Sequence, residues 1–188
     1  MSNDSRHQLC YVAGSPWLNL VATVADRLGP DPAERLSDTA RLAEWLHHEL
    51  GSDPALDVTE ADLARAHRVR AVLRSLAVST LEGVPPDPEA VAAANRALSA
   101  YRAATVYVED GRLRHTPPQS VDQAMTWVIR QAMVSLVGEE ASRLRMCAEP
   151  VCGGIFLDPT GRRRWCPSGR CGVKARVRAH RMKLKDAV

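Results

Sequence analysis

The sequence lacks any uninterrupted apolar run of the roughly 18 residues that a membrane span requires, and its N-terminus lacks the charged, apolar and small-residue order of a signal peptide. Neither membrane insertion nor export is therefore expected, and the cytoplasm is the default compartment. Internal repeats and low-complexity tracts are also missing. No nucleophile elbow, phosphate loop, HExxH motif or convincing carboxylate pair occurs, so no catalytic activity is expected. Lysine is scarce: the chain has only Lys174, Lys183 and Lys185, all near its C-terminal end.

What is present is unevenly placed. The formal net charge of the 188 residues is +3. Residues 1–142 hold 13 Arg against 19 Asp and Glu, a balance of −6, whereas residues 143–188 hold 12 Lys and Arg against Glu149, Asp158 and Asp186, a balance of +9. An acidic body with a basic tail points to a polyanion partner for the tail. A boundary is expected near residue 142, after Gly138 and the polar stretch GEEASR, giving domains 1–142 and 143–188.

Hydrophobic periodicity makes the body mainly helical. Helices are predicted over 38–50, with Asp38 as N-cap and Gly51 at the C-terminal cap; over 59–81, where Thr59 and Asp62 are spaced as a capping box; and over 87–101, with Pro88 at the first helical position. The clearest runs from Ser120 to Val137, with Val121, Met125, Val128, Ile129, Ala132, Met133 and Leu136 along one core stripe. Residues 104–116 alternate about the turn Glu109-Asp110-Gly111, which predicts a hairpin that adds to another strand or lies on helices. LNLVATV reads as a strand or a buried helix. His47 and His48 are adjacent, point to different faces and make poor joint ligands.

Four of five cysteines form the array Cys147-x4-Cys152-x13-Cys166-x4-Cys171. Two knuckles joined by an out-and-back segment bring four thiolates into a tetrahedron suited to structural zinc, with no open position. A disulfide or redox pair fits less well, because neither pair has C-x-x-C spacing and disulfides are rare in reducing cytosol. A module of some 45 residues with so few apolar side chains needs a metal to fold. Cys10, alone, reads as a small apolar residue.

After Cys171 a helix is predicted to about Lys185. Val173, Val177, His180 and Leu184 fall on one stripe on which the helix would seat; Lys174, Arg178, Arg181 and Lys185 lie on one flank, Arg176 and Lys183 on the other. Arg162, Arg163, Arg164 and Arg170 add to the same field, and no acidic residue interrupts 159–185. A charge run alone reads as a solvated face or a dock for the acidic body. Joined to a zinc module it reads as a nucleic-acid surface, with all ten of these cations as candidate contacts. Trp165 is expected to pack on the knuckle.

CAEPVC, IFLD, RRRWC and the final CG before a basic helix resemble the CGNR zinc-finger family, a treble-clef module that ends bacterial ABATE-domain proteins described as stress-induced transcription regulators. Where that family has Cys-Gly-Asn-Arg, this chain has Cys171, Gly172, Val173 and Lys174; lysine keeps the charge and loses the planar fork. LNLVATV, the helix containing AEWL and the Arg-rich helix after it resemble the ABATE domain, whose leading Asp and Asn appear here as Asn19 and Ala22. The resemblance implies an α+β body, mainly helical with a small antiparallel sheet or hairpin, that senses a small-molecule effector or forms a homodimer, and a finger that binds double-stranded DNA. Alternatives are RNA binding by the same basic helix, or a small-molecule binder or enzyme in the body with a purely structural zinc clip.

Overall fold

A computed structural model describes residues 6–53, 55–101 and 105–185. The chain is α+β: among the described residues there are six α-helices and three two-stranded antiparallel sheets. It divides into two compact units, residues 36–138 and a second unit that joins residues 1–35 to residues 139–188.

The first unit is helical. Helix α2 (Thr39–Leu50) starts where the Asp38 carboxylate accepts the Arg41 amide and ends at Gly51 in the left-handed region, burying Leu42, Trp45 and Leu46. Helix α3 (Glu60–Glu82) opens with the expected Thr59/Asp62 capping box and buries Leu63, Ala66, Val69, Leu73, Leu76 and Ala77. Along helix α4 (Pro88–Ser99) the helical spacing predicts Val91, Ala94, Leu98 and Tyr101 inward; Ala94 is buried together with Ala90, whereas Val91 and Leu98 are half-buried, and the small side chains suit close contact with α3 and α5. Helix α5 (Val121–Val137), capped by Ser120, buries Val121, Met125, Val128, Ile129 and Ala132 as the stripe predicts, with Met133 and Leu136 half-buried. Burying such side chains stabilises the unit by roughly 1.5–3 kcal/mol each.

Strands β3 (Val106–Glu109) and β4 (Arg112–His115) form the expected hairpin. Among the described residues neither strand pairs with a third, and all eight residues are exposed, Leu113 by 75%, so the hairpin is not buried against a supporting layer. Ala104, the first residue of the hairpin as read from the sequence, lies outside the described residues. His47 and His48 do not converge: His47 Nδ1 is 2.9 Å from the Ser52 carbonyl oxygen, whereas His48 Nδ1 faces Glu49.

The second unit is built from both chain ends. LNLVATV begins as a helix and ends as a strand: α1 (Pro16–Val21) is followed by β1 (Val24–Ala25), which pairs with β2 (Ala33–Glu34). Buried Asn19 accepts the Ala13 amide at 2.8 Å, so its side chain holds the segment that enters the helix. Strands β5 (Leu144–Met146) and β6 (Ile155–Leu157) form the knuckle hairpin and bury Leu144, Ile155 and Phe156. The Leu157 amide donates to Ala13 O, Arg27 to Cys152 O and Leu28 to Val151 O. Gly14 permits this crossing: its φ is 107°, and a Cβ there would lie 2.9 Å from Leu157 Cβ. Helix α6 (Arg170–Lys185) closes the unit.

Candidate metal centre and its basic surround

Cys147 follows β5, Cys152 lies in the turn before β6, Cys166 ends the arginine loop and Cys171 sits in the first turn of α6. These local structures bring all four Sγ atoms within 4.8 Å of one another. Cys152 and Cys166 Sγ are 3.9 Å apart, Cys166 and Cys171 3.6 Å. Zinc–sulfur bonds of about 2.3 Å in a tetrahedron place sulfurs about 3.8 Å apart, whereas a disulfide needs about 2.05 Å. The donors thus fit zinc and form a zinc-binding site, while all five cysteines are free of disulfides.

Thiol chemistry agrees. Hydrogen bonding from Cys152 draws Cys147 down to about 7, and bonding from Cys147 draws Cys166 down also. The same interactions push Cys152 and Cys171 up, with Cys147 the largest cause for each. Four crowded sulfurs cannot all ionise without a cation among them, and a dication removes that conflict. The Cys166 amide also donates to Cys147 Sγ at 3.3 Å.

Three groups around the cage gave little or no signal in the sequence. Arg35 is only 6% exposed and donates to Arg6 O and Ala22 O, both at 2.9 Å. It lines a small cavity of about 50 Å³ with Cys10, Cys152, Cys166 and Cys171, so Cys10 is a half-buried neighbour of the cage, distant only in sequence. Desolvation lowers the Arg35 pKa, while the Cys10 thiol and Asp26 act in the opposite sense. A guanidinium here offsets the net negative charge of four thiolates around a dication. Glu149 and Asp158, the acids within the finger, are both buried. Glu149 accepts a bidentate pair from Arg178, with both hydrogen bonds at 3.0 Å. Asp158 accepts the Arg163 amide at 2.6 Å and the Thr160 amide and hydroxyl at 3.0 and 2.8 Å, which ties the arginine loop to β6.

The cations read as nucleic-acid contacts separate into groups. Arg162, Arg163, Arg164 and Arg176 are exposed and line one concave surface with Trp165. Arg164 lies over the Trp165 ring at 5.3 Å, and Trp165 is half-buried. Arg170 is half-buried at the start of α6. Lys174 instead pairs with Asp26 at 3.4 Å, and Arg178 with Glu149. Arg181 and Lys183 are exposed; the side chain of Lys185 lies outside the described residues. The expected seat of α6 is overturned. Val173, Val177, His180 and Leu184 are exposed, Val177 by 44%, because the helix is held at its first turn by Cys171 and along its lysine–arginine flank by ion pairs.

The donor set and its fold define the class: a four-cysteine zinc-finger protein with an α+β body. The profile of the ABATE family, described as "Putative stress-induced transcription regulator", matches residues 14–141, and that of the CGNR zinc finger matches residues 143–183. The chain belongs to the ABATE family and carries a CGNR zinc finger. No curated protein matches it. The junction of the two profiles does not coincide with the structural division, since residues 14–35 lie in the same compact unit as the finger. No helix among the described residues is long and apolar enough to cross a membrane.

Proposed function

We propose that the protein is a cytoplasmic, non-catalytic regulator of transcription whose zinc-held finger binds double-stranded DNA. The observation that carries this reading is the direct continuation of a closed four-thiolate cage into α6, beside an arginine loop, over residues 159–185 that contain no acidic side chain. Zinc would supply rigidity here and no chemistry, because four sulfurs fill its tetrahedron. Arginine and lysine would supply the attraction, by neutralising phosphates and so releasing counterions. Binding-site selection from random duplexes, with and without a chelator, tests the proposal. Enrichment of a common sequence only without chelator is expected; no enrichment in either arm contradicts it.

A second feature favours an effector site in the body. A cavity of about 420 Å³ is lined by Tyr101, Trp127, His115, Gln123 and Glu49 among others, a size and mix of aromatic and polar groups suited to a small molecule. Quenching of tryptophan fluorescence by a compound library, lost in Trp127→Phe, tests this role; a library that leaves the fluorescence unchanged argues against it.

A further inference from the structure

Helix α6 offers two basic flanks, and the more cationic one is the obvious binding surface: Lys174, Arg178, Arg181 and Lys185 against Arg176 and Lys183. The geometry points to the other. We infer that the phosphate backbone of duplex DNA is held in the cleft between the arginine loop and the start of α6, by Arg162, Arg163, Arg164 and Arg176, with Lys183 extending the track, and not along the Lys174–Arg178 flank. This assignment rests on the DNA-binding reading above and specifies where that binding occurs.

Three independent observations carry it. First, two of the four cations of the richer flank are already engaged within the same unit: Lys174 with Asp26, and Arg178 with both oxygens of Glu149, a carboxylate only 4% exposed. Releasing Arg178 to a phosphate would leave Glu149 buried without its partner, a cost that opposes binding there. Second, the arginine loop and the start of α6 frame a surface hollow of about 370 Å³, with Gly169 and Gly172 among its lining residues and no carboxylate in it. The opposite flank borders a hollow of about 540 Å³, but that one includes Glu149 and the Lys174 and Arg178 side chains already paired with acids. A Cβ at Gly172 would lie 3.7 Å from Arg176 Nη1 and 3.9 Å from the Trp165 ring, so Arg176 and Trp165 both border this glycine. Third, the loop is ordered in advance. Buried Asp158 fixes the backbone at Thr160 and Arg163, the Ala148 amide donates to Arg164 O, and Trp165 stacks on the Arg164 guanidinium. Pre-ordering lowers the entropy cost when arginines clamp a phosphate, and the guanidinium fork suits phosphate oxygens.

Positions along the helix agree with this division. Arg176 and Lys183 are seven residues apart, so they lie on one face about two turns from each other. A backbone entering at the loop can follow that face along α6.

The test compares salt dependence of binding to a mixed-sequence 20-base-pair duplex by fluorescence anisotropy. It uses zinc-loaded full-length wild type, a cleft variant (Arg163→Gln, Arg164→Gln and Arg176→Gln together) and two flank variants (Lys174→Gln alone, and Glu149→Gln with Arg178→Gln). Zinc content and circular dichroism establish that each folds. The cleft variant should bind at least tenfold more weakly, with its log–log salt slope shallower by about 0.9 for each phosphate that is no longer neutralised, and so by about 2–3 in total. The flank variants should keep the wild-type slope. A cleft variant that binds like wild type, or flank variants whose slope flattens instead, would overturn the assignment. Wild type that fails to bind duplex DNA at low salt, or that prefers duplex RNA, overturns the parent reading instead, so the two failures are distinguishable.

Discussion

At the scale of the residue, two buried carboxylates tie the basic segments to the finger. Asp158 joins the arginine loop to β6, and Glu149 holds α6 through Arg178. Removing one member of the second pair is more damaging than removing both. Arg178→Gln should lower the unfolding temperature, because Glu149 keeps its charge in a buried position, and Glu149→Gln in the same chain should recover much of that deficit. Thermal unfolding of the three variants checks this; a double variant no better than the single one would show that the pair is not coupled. The cysteine spacing already contained the cage, since C-x4-C twice over needs only local turns to bring sulfurs together. The partners of Lys174 and Arg178 were not legible there. Asp26 lies 148 positions from Lys174, and nothing in a local pattern links them.

At the scale of the element, helices were readable wherever caps and stripes agreed. Asp38, Thr59 and Ser120 each accept the amide that their positions imply, and the buried stripes of α2, α3 and α5 follow the apolar period. Asp38 gives a pH-dependent example. Its hydrogen bond from the Arg41 amide, then that from Ser37, hold its pKa below the usual 3.8. A depressed carboxylate contributes stability above its unfolded value and loses it as pH falls through the folded value. Asp38→Ala should therefore cost about 1 kcal/mol near neutrality, and the gap from wild type should close below the ordinary aspartate range; chemical denaturation at several pH values measures it. A gap that persists unchanged in strong acid would assign the effect to something other than the cap. Period alone misled at α6. A stripe of Val173, Val177 and Leu184 looks like a seat, but amphipathicity states which residues share a face, not whether another layer exists to receive them. The hairpin itself formed as the alternation implied, but alternation identifies two strands without identifying a third to receive them.

At the scale of the whole molecule, the charge step near residue 142 and the cysteine cluster made the finger legible as a segment of its own, while the compact units cut across that boundary. Residues 6–35 fold with the finger through backbone bonds to Val151, Cys152 and Leu157 and through Arg35 beside the cage. No sequence boundary announces this, because the segment returns to the finger only after the whole helical unit. An isolated 143–188 segment should therefore hold zinc more weakly than the intact chain, by roughly tenfold or more, which corresponds to about 1.4 kcal/mol. Competition with a chromophoric chelator reads the difference, and equal affinities would mean that the N-terminal segment adds nothing to the metal site. The central claim is that zinc organises a basic surface for duplex DNA. The most direct measurement is the affinity of one labelled duplex for zinc-loaded and metal-stripped protein across a salt series. The account predicts binding by the loaded form that weakens linearly in log–log terms with salt, and disappearance of most of it on stripping. Equal binding by both forms, or none by the loaded form at low salt, would contradict it.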